Sequence, residues 1–214
     1  MSPRVLLATV ALVLLPAAPA DATSVLTTGS AGGAAVSVGD QLSAPLASGQ
    51  AIHFYNHATH VEIFSCSASS TSMTVLTNPI SPGTATASLH SWTINSCTVG
   101  TWTGVTGIQS VLNNTLPYNM SIDSSAAVSV SPPVAGDYKM TIRVNTLLGV
   151  QTGVYKGFGL SGTFSNVGNS ITYTNQLRPV QGGAGVVFPT NIDYSFVLKP
   201  VTDTSASGAL VFLN

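Results

Sequence analysis

From residue 23 onward, apolar and polar side chains alternate with a period of two, in short runs separated by Gly, Pro, Asn and Ser. The cleanest run spans Asp137 to Asn145. Tyr138, Met140, Ile142 and Val144 fall on one face there. Asp137, Lys139, Thr141, Arg143 and Asn145 fall on the other, as a strand with one buried side requires. Ile192, Tyr194, Phe196 and Leu198 repeat the pattern against Asp193, Ser195 and Lys199, and Ala126, Val128 and Val130 repeat it before Pro132-Pro133 ends the run. Ala209 to Leu213 is apolar at every position, which predicts a central strand covered on both sides.

Thr84 to Val99 changes phase partway. Ala85, Ala87 and Leu89 share one register, while Trp92 and Ile94 belong to the other. One extra residue sends every later side chain to the opposite face, so the shift predicts a bulge or corner near His90-Ser91. Asn78-Pro79 and Ser81-Pro82-Gly83 supply the preceding turn, and Gly182-Gly183-Ala184-Gly185 reads as the most flexible interior loop. No window carries helical periodicity. The runs add up to about ten to thirteen strands at sandwich-like spacing, so the expected fold is all-β, an antiparallel β-sandwich.

The first 22 residues follow a different rule. Arg4, the apolar segment Val5 to Leu15 and the small residues Ala20-Asp21-Ala22 have the order of a secretory signal peptide, with cleavage near Thr23. A segment of about eleven residues is too short to cross a bilayer as a helix. Residues 23–214, undivided by any linker, are expected to form a single β-sandwich domain that is secreted, extracellular or associated with the cell envelope. No later stretch of 18 apolar residues exists, so no transmembrane segment is expected after cleavage.

Composition narrows the function. Charged residues make up 6% of the chain, against roughly a quarter in ordinary soluble proteins. Lys139, Arg143, Lys156, Arg178 and Lys199 are the bases beyond the leader, too few and too scattered to neutralise a run of phosphates, and nucleic-acid binding is therefore not expected. Hydrophobic residues at 44% are enough to fill a core, so low charge does not mean disorder. Cys66 and Cys97 are the only cysteines, and in an oxidising compartment they are expected to pair. Closing a loop of about 31 residues stabilises a fold by roughly 3 to 4 kcal/mol in the chain-entropy model.

Several scattered segments resemble a family of small secreted, β-rich proteins of actinobacteria (Streptomyces-like) whose function is not established. They are Leu26-Thr27-Thr28-Gly29-Ser30-Ala31-Gly32-Gly33, Cys66-Ser67-Ala68-Ser69-Ser70, Asn78-Pro79, Pro82-Gly83-Thr84-Ala85-Thr86, Leu116-Pro117-Tyr118, Leu147-Leu148-Gly149, Gly159-Leu160-Ser161-Gly162-Thr163 and Pro200-Val201-Thr202-Asp203-Thr204. The resemblance implies location and fold rather than chemistry. It also implies that Gly153 and Val187, where similar proteins carry a second cysteine pair, lie within bridging distance of about 7 Å between Cα atoms. Many such proteins have a twin-arginine leader. With Arg4 alone, this chain is expected to take the general secretory route.

Three constellations are candidates for chemistry. His53, His57, His60 and Glu62 crowd into ten residues, and a hairpin turning at Asn56 to Thr59 would bring them near one another, as a zinc or copper site needs; the alternative is a set of cross-strand polar pairs. Trp92 and Trp102 flank Cys97. Alternation places Trp92 on a buried face, whereas turn residues surround Trp102 and make it the better candidate for stacking on a sugar ring. Catalysis has little support, because there is no G-x-S-x-G elbow and the few carboxylates are scattered. The expectation is therefore a non-catalytic binding or structural protein without a cofactor, meeting an extracellular or envelope ligand. A carbohydrate-binding module is the first alternative and a metal-binding or hydrolytic secreted enzyme the second.

Overall fold

The computed structural model describes residues 23–134, 138–182 and 187–214. The expected leader, Asp137 and residues 183–185 of the glycine-rich loop lie outside the described residues. Among the described residues no helix occurs. The strands are β1 (Leu26–Thr28), β2 (Ala34–Ala35), β3 (Gln41–Pro45), β4 (Ile52–Asn56), β5 (Val61–Thr77), β6 (Thr84–Val99), β7 (Val105–Asn114), β8 (Tyr118–Asp123) and β9 (Ala127–Ser131). They continue as β10 (Tyr138–Thr146), β11 (Gly149–Gly157), β12 (Leu160–Ser165), β13 (Ser170–Tyr173), β14 (Arg178–Gly182), β15 (Asn191–Leu198), β16 (Thr202–Asp203) and β17 (Ala209–Leu213).

These strands form one antiparallel sheet that closes on itself. One circuit runs β4, β5, β6, β7, β10, β11, β14 and β15, and β15 pairs back onto β4. A second runs β3, β5, β6, β8, β9, β12, β13 and β15, closing where Leu46 bridges to Leu198. Because β5, β6 and β15 belong to both circuits, the two lie end to end as a tube of eight staves. The other five staves are each interrupted midway. Strands β16, β17, β1 and β2 form a flap beside β3, and Leu26 of β1 lines a narrow crevice with Leu42, Met73 and Ile122.

Opposite walls of the tube meet in the middle, so the two layers expected of a sandwich belong to one continuous sheet. Trp92 of β6 packs on Phe196 of β15 with ring centres 5.5 Å apart. The two crevices found inside the core are about 10 Å³ each, at the limit for one water molecule. The interior is filled rather than hollow.

The all-β antiparallel class and the single disulfide are as the sequence predicts. Cys66 and Cys97 sit directly opposite each other on β5 and β6 and are bonded. The bulge falls at His90, which the β5 ladder skips between the Ser72–Ser91 and Met73–Leu89 pairs. Leu89 and Trp92 are accordingly both buried. Seventeen strands exceed the expected ten to thirteen, because β1, β2 and β16 are too short to carry a period and broken staves count twice. One expectation is corrected. β17 has a neighbour on each edge but is not covered on both faces, for Leu210 is exposed while Val211 and Leu213 are buried.

The interrupted staves leave backbone carbonyls without ladder partners at mid-length, and buried carbonyls must find donors. Arg178, only 4% exposed, meets that need: Nη1 donates to Leu177 O at 2.7 Å and Nη2 donates to Gly159 O. The Tyr118 hydroxyl donates to Asn114 O. The guanidinium lies 4.4 Å from the centre of the Tyr138 ring and 5.7 Å from that of Tyr194, a cation held against two aromatic faces. Tyr138 stacks on Tyr118 at 4.9 Å and donates its hydroxyl proton to Asn113 Oδ1, while Tyr194 reaches the Tyr138 hydroxyl at 3.2 Å. Position 157 has to be glycine, since a Cβ there would stand 2.7 Å from Arg178 Nη1.

Two outcomes follow from this waist. Arg178→Met strips donors from two carbonyls and should lower stability by about 3 kcal/mol, read as a lower urea midpoint. An unchanged midpoint would show that the guanidinium does not organise the core. Burial also raises the hydroxyls of Tyr138, Tyr155 and Tyr173 above their ordinary 10.0. The folded chain then keeps protons that the unfolded chain releases, so stability is full below pH 10 and declines as pH rises past it. Alkaline titration should show the phenolate absorbance of these residues emerging only together with loss of strand signal.

Candidate functional site

Register brings four connections to one end of the tube. Val105 at the start of β7 pairs with Thr146, the Thr146–Gly149 pair ends the β10–β11 hairpin, and Ile192 pairs with Asn56. The 57–60 turn, the 100–104 loop, the Leu147-Leu148 tip and the segment entering β15 through Phe188 and Pro189 therefore share that end. The disulfide lies just below it, two residues before Val99 ends β6, and pins the strand that carries the 100–104 loop. Backbone bonds from Gly100 N to Ile63 O at 2.8 Å and from Thr101 N to Glu62 O at 3.0 Å hold the loop against β5.

Between these connections lies an open depression of about 620 Å³. Ile63, Trp102, Val187, Phe188 and Pro189 give it apolar walls, and Asn56, Thr59, Thr101 and Thr103 give it a polar, uncharged rim. Among the described residues no charged side chain lines it. Trp102 is 7% exposed, stacked on Phe64 at 5.6 Å and met edge-on by Phe188 at 5.5 Å, with its indole N–H donating to Val187 O at 2.7 Å. Trp102, the candidate for stacking on a sugar ring, thus forms part of a wall, with Phe64 stacked on one face. Trp92 is buried as alternation predicts, its indole N–H donating to Ser69 Oγ at 3.1 Å.

Gly153 of β11 faces the same region, where a Cβ would fall 2.6 Å from the Phe188 ring. The segments that carry Gly153 and Val187 are therefore neighbours. Leu147 and Leu148 are 90% and 91% exposed at the hairpin tip and add an apolar prominence to this end.

The histidine cluster does not assemble as one site. His53 Nδ1 bonds to Glu62 Oε2 at 2.8 Å across the β4–β5 pair, and His57 Nδ1 bonds to Asp193 Oδ2 of β15, also at 2.8 Å. Among the described residues no three His, Cys, Asp or Glu groups stand close enough to hold an ion together. The structure thus places His53 with Glu62 and His57 with Asp193 rather than bringing His53, His57, His60 and Glu62 together as one set. Strand pairing explains the split, because His53 and Tyr55 project from the outer face of β4 while His57 begins the turn beyond it.

Sequence reasoning missed Asp193, which lies 136 residues from its partner His57. Its outward place in the alternating β15 run was legible; the β4–β15 pairing that sets it opposite Tyr55 was not. Phe188 and Pro189 were missed as well, having no periodic neighbours to mark them. The chain matches no protein-family model, no curated protein and no solved structure.

The placement of Trp102 has an optical consequence. In a Trp92→Phe variant, Trp102 alone should emit at short wavelength and resist quenching by iodide. Quenching comparable to free indole would contradict its place in the wall.

Proposed function

We propose that the chain is an exported, non-catalytic protein of the extracellular space or cell envelope that binds a neutral ligand, polysaccharide first among them, at the loop-bearing end of its tube. The observation that carries the reading is the uncharged depression between the 57–60 turn, the 100–104 loop and the Phe188-Pro189 segment. A charged ligand placed there would lose hydration without gaining an opposite charge, whereas sugars present apolar faces and hydroxyls together. Ile63, Trp102, Val187 and Phe188 suit the first, and Asn56, Thr59, Thr101 and Thr103 suit the second. The leader, the single disulfide and the sparse charge support export. The absence of a nucleophile–base motif in the sequence supports binding without turnover.

Retention of the pure protein on chitin, cellulose and peptidoglycan tests the reading. Binding to one of them should weaken at least tenfold in Thr103→Arg, which fills the exposed rim without disturbing the core. No retention on any of the three removes the polysaccharide reading. Retention that Thr103→Arg leaves intact removes the depression as its seat.

A further inference from the structure

We propose that His57 and His60 form a two-imidazole site for a divalent first-row transition ion, held most tightly as copper(II), with Asp193 as its positioning residue. The site lies on the outer face beside the 57–60 turn, in a depression of about 290 Å³ lined by Tyr55, His57, His60, Asn175 and Asp193. It is lined by different residues from the neutral depression and does not depend on the reading given above.

Three observations carry it. The Asp193 carboxylate holds His57 Nδ1 at 2.8 Å, which fixes the tautomer and leaves Nε2 as the free nitrogen. A carboxylate behind an imidazole is the arrangement that orients metal-binding histidines and raises their basicity. The rings of His57 and His60 stand 6.0 Å apart, tilted at 68°. With metal–nitrogen bonds of about 2.0–2.1 Å and each ring centre ~1.2 Å behind its nitrogen, two imidazoles on one ion place their centres between about 4.5 Å (at right angles) and about 6.5 Å (opposed).

The turn that presents the two rings is fixed by its backbone. His60 N and Thr59 N both donate to Asn56 O, Ala58 N donates to Asn56 Oδ1, and His57 N donates to Asn191 O. His60 has φ of 55°, in the left-handed region that histidine enters more readily than most residues with a side chain. The histidines thus reach one depression without rearrangement of the chain. Two imidazole ligands with open positions favour copper(II) over zinc by the stability order of divalent ions, and Tyr55 together with water supplies oxygen for the remaining positions.

Calorimetric titration of copper(II) chloride into tag-free protein tests the site, with electron paramagnetic resonance counting the bound nitrogens. Wild type should bind one equivalent through two imidazole nitrogens. His57→Ala and His60→Ala should each weaken binding by tenfold or more, and Asp193→Asn by about 10- to 100-fold. His53→Ala should bind as wild type does. The proposal is overturned if the His57→Ala/His60→Ala double variant binds as tightly as wild type, or if His53→Ala costs as much as His60→Ala. Far-ultraviolet circular dichroism confirms that each variant is folded, because all three histidines project outside the core.

Discussion

The structure depends on how the interior copes with broken strands. Five of eight staves stop and restart at mid-length, and at three of these stops the carbonyls of Asn114, Gly159 and Leu177 are taken up by side-chain donors instead of a ladder. Arg178 and Tyr118 donate to Gly159, Leu177 and Asn114, and Tyr138 and Tyr194 surround the guanidinium with aromatic faces. A charge without a carboxylate partner is normally costly to bury. Here the carbonyls at Nη1 and Nη2 and the ring faces take the place of water, while Nε is buried without a hydrogen-bond partner. The three uninterrupted strands then act as rails on which both halves of the tube are aligned.

Local features of the fold were legible in the sequence because they follow from alternation alone. Tyr138 to Val144 and Ile192 to Leu198 bury one face, His90 is the bulged residue, and Cys66 meets Cys97. Features that join distant segments were not legible. Nothing in the sequence marks Arg178 as a core residue rather than one of five scattered surface bases, since its partners beyond Leu177 lie in three other segments. The burial of Trp102 was not legible for a comparable reason: the turn residues around it describe its backbone, while Phe64 and Phe188 determine its burial.

The candidate site follows the same division. The histidines themselves could be singled out by composition, but their grouping depends on strand faces and on a partner in β15. Pairing separates His53 with Glu62 from His57 with Asp193, although all lie close in sequence or on adjoining strands. The loop-bearing end gains its shape from the same registry. Once β4, β7, β11 and β15 are aligned around the tube, their connections have to converge there.

Closure of the sheet also bears on the strand edges of a chain with so little charge. Proteins commonly guard open strand edges with lysines or inward-pointing charges, and this one has few to deploy. Wrapping β15 back onto β4 gives the edges of the sheet partners within the same chain, so a neighbouring molecule finds less ladder to extend. Edge that other proteins guard by repulsion is here removed by geometry, a safeguard that dissolved salt does not screen.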